Sequence, residues 1–180
     1  MTEHSPNSFP KPGTPFYSMI HKTESRGKYM RLFKSFNWLV ILLYQVKILP
    51  ILGLGKRLLV LQTRGRVSGR TRRNPTEYFR IDGVIHVISG FGEHAHWVKN
   101  MRARPDDVRV YAGMQFFKAQ LEFLDNPEDR LAVCRWLVTK HAAYSRQAMG
   151  WQPGIDDPDT ADFSAIVDAV TIVRISGDKS

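Results

Sequence analysis

The sequence predicts an α+β protein built on a small antiparallel sheet or barrel of about six strands, with helices before, between and after them. Asp82-Gly83 is a strong two-residue hairpin signal between two strand-like runs, residues 74–81 and 84–89. Gln115 to Leu124 alternates between apolar and polar side chains, as a half-buried strand does. Because the strands follow one another through short turns, the pattern favours a meander or barrel over a doubly wound sheet.

Three further strands complete this prediction. The run from Leu58 to Thr63 is apolar, Val108 to Ala112 alternates, and the β-branched closing segment from Val167 to Ile175 predicts a last strand. A short helix is expected from about Glu93 to Ala103. No internal repeat is present.

Length and composition indicate a packed globular protein with an anionic partner. The chain has 180 residues, of which 43% are hydrophobic, enough for one domain with a substantial core. Its net charge of +9 favours nucleic acid, an acidic membrane surface or a polyanionic small molecule. A single cysteine, Cys134, excludes an internal disulfide, and its spacing relative to Leu131 and Val138 indicates a core position.

The N-terminal region divides into a tail and an apolar helix. Residues Met1 to Ser18 are polar and proline-rich, so we expect a disordered tail before a single domain at residues 19–180. A helix is predicted from about residue 24 to 49, basic at first and apolar nearly all round from Phe36 to Leu49. Such a helix lies either across a sheet or in a membrane interface. No secretory signal or spanning segment is evident, so we expect a cytoplasmic protein with possible peripheral contact to the inner face of the cell membrane.

The most informative stretch is the turn that follows the first strand. Residues 56–75 read KRLLVLQTRGRVSGRTRRNP, with no acidic residue. Gly65 and Gly69 allow a sharp bend and a close approach to a ligand, and successive backbone N–H groups in such a turn can form an anion site. Arg66, Arg70 and Arg72 can offer planar forks to phosphate or carboxylate. A plain basic hairpin in water is the alternative interpretation.

Other candidate residues lie on the strands and on a later helix. Glu77 is in phase with Phe79 and Ile81, where a carboxylate must be paired with an arginine or line a cavity. The segment Asp125 to Asp129 is a strong helix start, and that helix is expected to run to about Gln147. His141 and Tyr144 then share one stripe of it, as functional groups or as a buried edge.

Several known kinds of site are not indicated. The glycines form neither a phosphate loop nor a dinucleotide fingerprint, and no nucleophile elbow is present. His94 and His96 are too close in sequence, with no cysteine nearby, to predict a metal centre. If the protein is an enzyme, the difficult chemistry therefore belongs to a bound cofactor.

Three strings in order carry a family resemblance: TRGRVSGRTRRNP, IDGVIHVISGFG and HWVKNMRARP. Together they resemble the deazaflavin-dependent nitroreductase family, split β-barrel oxidoreductases with an FMN-binding-like fold that use coenzyme F420. The resemblance covers about Leu58 to Leu124, and a weaker similarity continues in the helix through Tyr144.

The resemblance implies a cofactor site and a hydride transfer to an electron-poor acceptor, such as a quinone, a nitro compound or an activated alkene. By motif position, the phosphate and the acidic tail would be held by Arg66, Val67, Ser68, Gly69 and Arg70, and continued by Arg72, Asn74 and Pro75. The ring would pass Val87, Ile88, Ser89 and Gly90, with Trp97, Lys99 and Asn100 completing the pocket. Tyr144 is the first candidate for a proton donor, and His141 the second.

Departures from the family pattern leave the acceptor open. Positions that hold pocket tyrosines in nitroreductases correspond to Glu77, His141 and Gln147 here, and a common lysine is replaced by Gly90. Nitroimidazole reduction is therefore not assumed. In the family, the N-terminal helix is associated with membranes, which strengthens the lipid interpretation of Phe36 to Leu49. The alternatives are a split barrel that binds FMN or a lipid without turnover, and a nucleic-acid-binding module, although no nucleic acid is expected.

Overall fold

The computed structural model describes residues 7–21, 41–42 and 57–177. Its regular elements are, in chain order, α1 Pro15–Ile20, β1 Leu58–Arg64, β2 Thr71–Ile81, β3 Val84–Ser89, α2 His96–Ala103, β4 Arg109–Ala112, β5 Gln115–Phe123, α3 Pro127–Lys140, α4 Ala142–Met149, α5 Ser164–Ala169 and β6 Thr171–Gly177. Short 3₁₀ turns at Gly92–His94 and Pro105–Asp107 flank α2.

The six strands form a closed barrel in the order β1-β2-β3-β6-β5-β4. Every neighbouring pair is antiparallel, which confirms the predicted fold class. The β2–β3 hairpin turns at Asp82 (φ 50°) and Gly83 (φ 81°), both left-handed, as a type I′ turn requires. Local turn chemistry therefore fixes this hairpin and its register.

Alternation along the strands separates the inside of the barrel from its outside. Leu59, Leu61, Val87, Val110 and Val173 are 0% exposed and belong to one apolar cluster within the barrel. In β5, Ala119 is buried in the same cluster, with Phe117, Leu121 and Phe123 packed against it, as the sequence predicts. The intervening side chains therefore point outward.

The chain divides into two compact units rather than the single domain predicted for residues 19–180. The barrel unit comprises residues 31–123 and 171–180, and the helical unit comprises residues 1–30 and 124–170. In the helical unit, Arg130 donates to the carbonyl oxygens of Val167 (2.8 Å) and Leu124 (3.0 Å). These bonds fix α3 beside the chain that precedes it and beside the end of α5.

The prediction of a disordered tail is wrong for residues 7–18. Phe9 is only 1% exposed, and its ring centroid lies 5.1 Å from that of Trp151 and 5.6 Å from that of Phe163. Thr14 then caps α1 by accepting a hydrogen bond from the Tyr17 N–H. One large aromatic residue, buried by distant partners, orders a segment whose own composition is polar.

Two other boundaries differ from the sequence prediction. The helix predicted to run to Gln147 ends at Lys140, because His141 (φ −129°, ψ 51°) leaves helical geometry before α4 begins. The strand predicted from Val167 begins only at Thr171, because Ser164–Ala169 forms a helix that buries Ile166 and Val167. In each segment, the spacing of apolar residues suits both the predicted and the observed secondary structure, so the hydrophobic pattern alone does not decide between the two.

The apolar helix predicted at residues 24–49 lies outside the described residues, except that Ile41 and Leu42 are helical. Across the part of the chain that is described, no helix is both long and apolar enough to cross a bilayer. The proposed membrane contact of Phe36 to Leu49 therefore stays a prediction.

One buried histidine is fixed on the outer wall of the barrel. His86 is 3% exposed; its Nδ1 lies 3.0 Å from the Val84 carbonyl oxygen, and Arg174 Nε donates to its Nε2 at 3.3 Å. Arg174 in turn contacts Glu122 at 3.0 Å. Burial, and secondarily the Arg174 charge, lower the pKa of His86 below 6.5, so the folded protein favours the neutral ring.

This arrangement predicts that acid weakens the fold through His86. As pH falls below about 6.5, the unfolded chain binds a proton at His86 before the folded chain does, so the free energy of unfolding decreases. The decrease stops once pH is below the lowered folded pKa. Denaturant unfolding at pH 7.5 and pH 5 measures it. His86→Gln should show a smaller loss between the two pH values; an equal loss would contradict the assignment.

Candidate anion-binding turn and cofactor site

The turn Gly65–Arg70 between β1 and β2 closes on itself through backbone hydrogen bonds. Gly65 N donates to Arg70 O at 2.9 Å, and Gly69 N donates to Gly65 O at 2.8 Å. Gly69 has φ +64°, and a Cβ on Gly65 would lie 2.7 Å from Ser68 Oγ. The left-handed backbone at Gly69 therefore favours glycine, and a side chain at Gly65 would require the Ser68 hydroxyl to move.

The turn carries unpartnered hydrogen-bond donors and cations. The N–H groups of Val67 and Ser68 make no hydrogen bond to any described residue. Arg70 and Arg72 are exposed, and no carboxylate in the described ranges forms an ion pair with either. Exposed backbone donors beside unpaired guanidinium groups can hold an anion with several negative charges.

Asn100 fastens the turn to the body of the barrel. This residue of α2 is 6% exposed, and its Oδ1 accepts from the Arg66 N–H at 3.1 Å and from Arg66 Nη1 at 3.4 Å. Its Nδ2 donates to Thr63 Oγ1 at 3.4 Å, and Thr63 is 2% exposed in β1. The amide group therefore links the barrel wall, the helix and the backbone of the turn.

The loop after β3 is held by a second set of bonds that also reaches α2. Ser89 Oγ donates to Gly92 O at 3.1 Å, and Gly92 has φ 52°. Glu93 accepts two bonds from Arg102 of α2, at 2.9 and 3.0 Å, and one from Thr171 Oγ1 at 3.0 Å. Helix α2 is thus bonded both to the anion-binding turn and to the loop around Gly90.

Strand polarity brings these pieces to one rim of the barrel. The ends of β1 and β3 and the starts of β2, β4 and β6 meet there, because all neighbouring strands are antiparallel. The predicted cofactor residues found at this rim are Arg66, Val67, Ser68, Gly69, Arg70, Arg72, Asn74, Ser89, Gly90, Trp97, Lys99 and Asn100. Sequence-distant candidates therefore converge in one place.

Three predicted cofactor residues do not share the surface of that rim. Val87 is 0% exposed within the barrel core, so its side chain contacts other core residues. Pro75 and Ile88 alternate with inward-facing neighbours and lie on the outer side of the barrel. Consecutive residues of a sequence motif point to opposite faces of a strand, and only one of these faces can line a given site.

The candidates for the acceptor site are placed in different units. Glu77 lies in the barrel unit, on the outer side of β2. Desolvation raises the pKa of its carboxyl while the Arg57 charge opposes that shift, although the side chain keeps an exposed portion. Tyr144 and His141 belong to the helical unit, where the His141 ring centroid lies 4.9 Å from that of Trp136. The single helical stripe predicted for the two is wrong, since His141 separates α3 from α4.

The sequence analysis missed the residues that brace the site. Thr63, Glu93, Arg102 and Thr171 make the bonds described above, and Arg102 also lies 4.0 Å over the Phe123 ring. Their partners are separated by 9 to 78 positions in the chain, so no local spacing signals them.

The Asn100 bonds predict a specific loss when the amide is removed. Asn100→Ala should lower the free energy of unfolding by about 1–3 kcal/mol, because buried donors and acceptors on Arg66 and Thr63 lose their partner. Hydrogen exchange at the Arg66 amide should accelerate. His96→Ala, on an exposed residue of the same helix, is the matched control. Unchanged Arg66 exchange in Asn100→Ala would show that the bond does not hold the turn.

Solved structures with a similar fold are distant in sequence. A putative pyridoxamine 5′-phosphate oxidase from Listeria innocua has 12% identity and a TM-score of 0.45, covering 72% of this chain and 91% of its own. An F420-H2 dependent reductase, FDR-A, has 18% identity and a TM-score of 0.42, covering 67% and 95%. A conserved hypothetical protein from Mycobacterium tuberculosis has 19% identity and a TM-score of 0.45, covering 68% and 74%.

The family assignment comes from the sequence match, since each of these TM-scores is below 0.5. A search of the curated proteins gave no match. Residues 47–155, more than half of the chain, match the family described as F420H(2)-dependent quinone reductase. This segment contains β1 to β5 with the anion-binding turn, and also α2, α3 and α4. The chain therefore belongs to the F420H(2)-dependent quinone reductase family and is an oxidoreductase that uses coenzyme F420.

Proposed function

We propose that this protein catalyses transfer of a hydride from reduced coenzyme F420 to a quinone-class acceptor, with the cofactor's anionic part held on the turn Gly65–Arg70. The observation that carries the proposal is the turn itself. Its Val67 and Ser68 N–H groups and its Arg70 guanidinium lack protein partners among the described residues, while Asn100 fixes its backbone. The family description supplies the acceptor class.

The residues of the rim fit a cofactor with a charged tail. Arg66 and Arg70 lie on the turn, Arg72 is on the exposed start of β2, and all three remain charged at neutral pH. Paired N–H donors and guanidinium forks hold phosphate or carboxylate through charge-assisted hydrogen bonds. A turn fixed before binding loses little conformational freedom when the anion arrives.

The remaining rim residues are proposed to place the ring. Gly90 has no side chain, and the hydroxyl of the preceding Ser89 is bonded to Gly92 O. A flat ring could therefore approach the backbone of the loop closely at Gly90. Trp97 is partly buried and packs against the barrel core. When bound, reduced F420 supplies a hydride, and the protein's task is to orient the reactants and exclude water.

A quinone that accepts a hydride must also gain a proton to become a quinol. We propose the Tyr144 hydroxyl as the first candidate donor and the His141 ring as the second. Glu77 pairs with Leu58, at the end of β1 away from the turn and on the outer side of the barrel, so it does not join a pocket at this rim. Nitro compounds and activated alkenes are acceptors of the same electronic kind. At the rim itself, Ser89 and Thr171 are buried, and their hydroxyl groups already donate hydrogen bonds.

We infer a cytoplasmic location from the cysteine content. Cys134 is the chain's single cysteine and is buried without a disulfide. Burial raises the pKa of its thiol to about 12, so it is neither a nucleophile nor a redox group at neutral pH. A protein with no disulfide fits a reducing compartment.

The cofactor assignment predicts a charge-specific loss of binding. Arg66→Glu with Arg70→Glu should weaken F420 binding about 100-fold or more, since each charge-assisted contact contributes about 1.5–3 kcal/mol. Titration of the full chain with oxidised F420, followed by fluorescence, measures the affinity, and FMN serves as the competing ligand.

The control carries the same change of charge at a distance from the rim. Arg109→Glu with Lys118→Glu changes two exposed cations on the outer wall of the barrel and should leave the affinity for F420 within a few-fold. An equal loss of F420 affinity in both double variants would contradict the assignment, because binding would then depend on the protein's net charge and not on the arginines of the turn. Oxidation of F420H2 by a soluble quinone, compared with a nitro compound, then tests the acceptor class.

A further inference from the structure

The barrel unit contains a cavity on the outer face of β3, β6 and β5. Its volume is about 510 Å³, within the range of pockets that hold small molecules. The cavity extends along the strands from the Asp82-Gly83 turn, which is at the rim opposite the anion-binding turn. Its polar lining comprises Asp82, His86, Gln120, Glu122, Arg174 and Ser176.

Three bonded side chains form one wall of this cavity. Cross-strand register places Arg174 of β6 between His86 of β3 and Glu122 of β5. Arg174 Nε donates to His86 Nε2 at 3.3 Å, and Arg174 Nη1 donates to Glu122 Oε1 at 3.0 Å. The His86 ring is buried and its Nδ1 is bonded to the Val84 carbonyl oxygen, so both ring nitrogens are occupied. The Arg174 guanidinium is thereby held in place, and its charge is matched by Glu122.

A second carboxylate lines the cavity without such a match. Asp82 forms no ion pair with any cation in the described ranges. Arg80, the cation nearest to it in sequence, donates instead to the Gly83 carbonyl oxygen at 2.9 Å. Two carboxylates, those of Asp82 and Glu122, therefore line this cavity with one guanidinium. The cavity carries a net negative charge in a protein whose overall charge is +9.

The two carboxylates are far enough apart to contact opposite ends of an extended ligand. Side chains on one face of a strand repeat about every 7 Å. Glu122 lies one such step from the cross-strand pair of Gln120 and Ser176, and Asp82 lies beyond that pair in the hairpin turn. Between the carboxylates, the lining consists of these two neutral residues and of Val84. The cavity is therefore acidic at both ends and uncharged in the middle.

We propose that this cavity binds a linear aliphatic diamine, with one ammonium group on Glu122 and the other on Asp82. Ammonium and carboxylate groups form charge-assisted hydrogen bonds. Arg174 is bonded to Oε1 of Glu122, which leaves Oε2 for the ligand. The methylene chain of the diamine lies against Ile81 and Val84, as the stem of a lysine lies along an apolar surface.

Charge and spacing favour a diamine over other small ligands. An anion would meet two carboxylates and only one cation. An α-amino acid carries its ammonium and carboxylate groups on a single carbon atom, so it cannot contact both ends of the cavity. A divalent metal ion needs several ligands around one point, and the described residues contain no group of three His, Cys, Asp or Glu side chains suited to that.

Calorimetric titration of the full chain with cadaverine tests the proposal, with pentylamine as the matched ligand that has the same chain and one ammonium group. Cadaverine should bind saturably and about two- to fivefold more tightly than pentylamine, the effect of one additional exposed ion pair. Asp82→Asn should remove this difference, and asparagine keeps the hairpin because it suits a left-handed turn position. Ser176→Trp should abolish binding of both amines, because an indole at this exposed position fills the cavity and leaves the Arg174 bonds intact.

Matched controls carry the same substitutions on α5. Asp168→Asn and Ser164→Trp change exposed residues of the helical unit and should bind cadaverine like the wild type. Circular dichroism verifies that each variant is folded. Backbone NMR of the wild type locates the contact without any variant: the Val84 and Ser176 amides should shift on titration, whereas those of Gly65–Arg70 should not.

The proposal is overturned if cadaverine does not bind, or if pentylamine binds the wild type as tightly as cadaverine does. It is also overturned if Asp82→Asn keeps the difference between the two amines. Amide shifts confined to the aspartate-rich residues 156–162 of the helical unit would overturn it too, because the attraction would then be to negative charge in general.

This inference goes beyond the proposed function and does not rest on it. No residue of the anion-binding turn lines the cavity. Because F420 titration and diamine titration report on different residues, failure of one leaves the other intact.

Discussion

The side chain of Asn100 is the interaction on which the candidate site depends. Its carboxamide is buried, accepts from the backbone and side chain of Arg66, and donates to Thr63 within the barrel wall. A carboxamide can do this because it carries an acceptor and two donors in one plane, which neither a carboxylate nor an ammonium provides. The bond holds the backbone of a glycine-containing turn in place, and the Val67 and Ser68 N–H groups of that turn keep no partner among the described residues.

Helix α2 extends this constraint from one bond to the whole rim. Asn100 faces the anion-binding turn, and Arg102, two residues later, holds Glu93 beside the Gly90 loop. The two segments proposed for the cofactor's tail and ring are thus braced by one short helix. Glu93 also accepts a hydrogen bond from Thr171 at the start of β6. The contacts around α2 therefore extend from β1 to β6, two strands that are not neighbours in the barrel.

The two rims of the barrel carry different kinds of residues. Antiparallel closure gives two rims, and alternation gives an inside and an outside. One rim gathers the glycines, arginines and α2, while the other presents the hairpin turns and the exposed Met114.

The sequence by itself determined the strands, the hairpin and the character of the site. Local rules suffice for these features: left-handed Asp82 and Gly83 fix a turn, alternation in β5 fixes its inner face, and Asn126 with Pro127 fixes the start of α3. The glycines and arginines of residues 65–72 likewise predict an anion site without any tertiary information, because backbone freedom and charge are local properties.

Only the tertiary structure decided which of these residues act together. Phe9 is buried by Trp151 and Phe163, more than a hundred residues away, so a polar tail becomes part of the helical unit. Val87, within a binding motif by sequence, is buried in the barrel core, and the stripe of His141 and Tyr144 is broken between two helices. Contacts between distant segments carry no local signature, and for that reason periodicity and spacing could not reveal them.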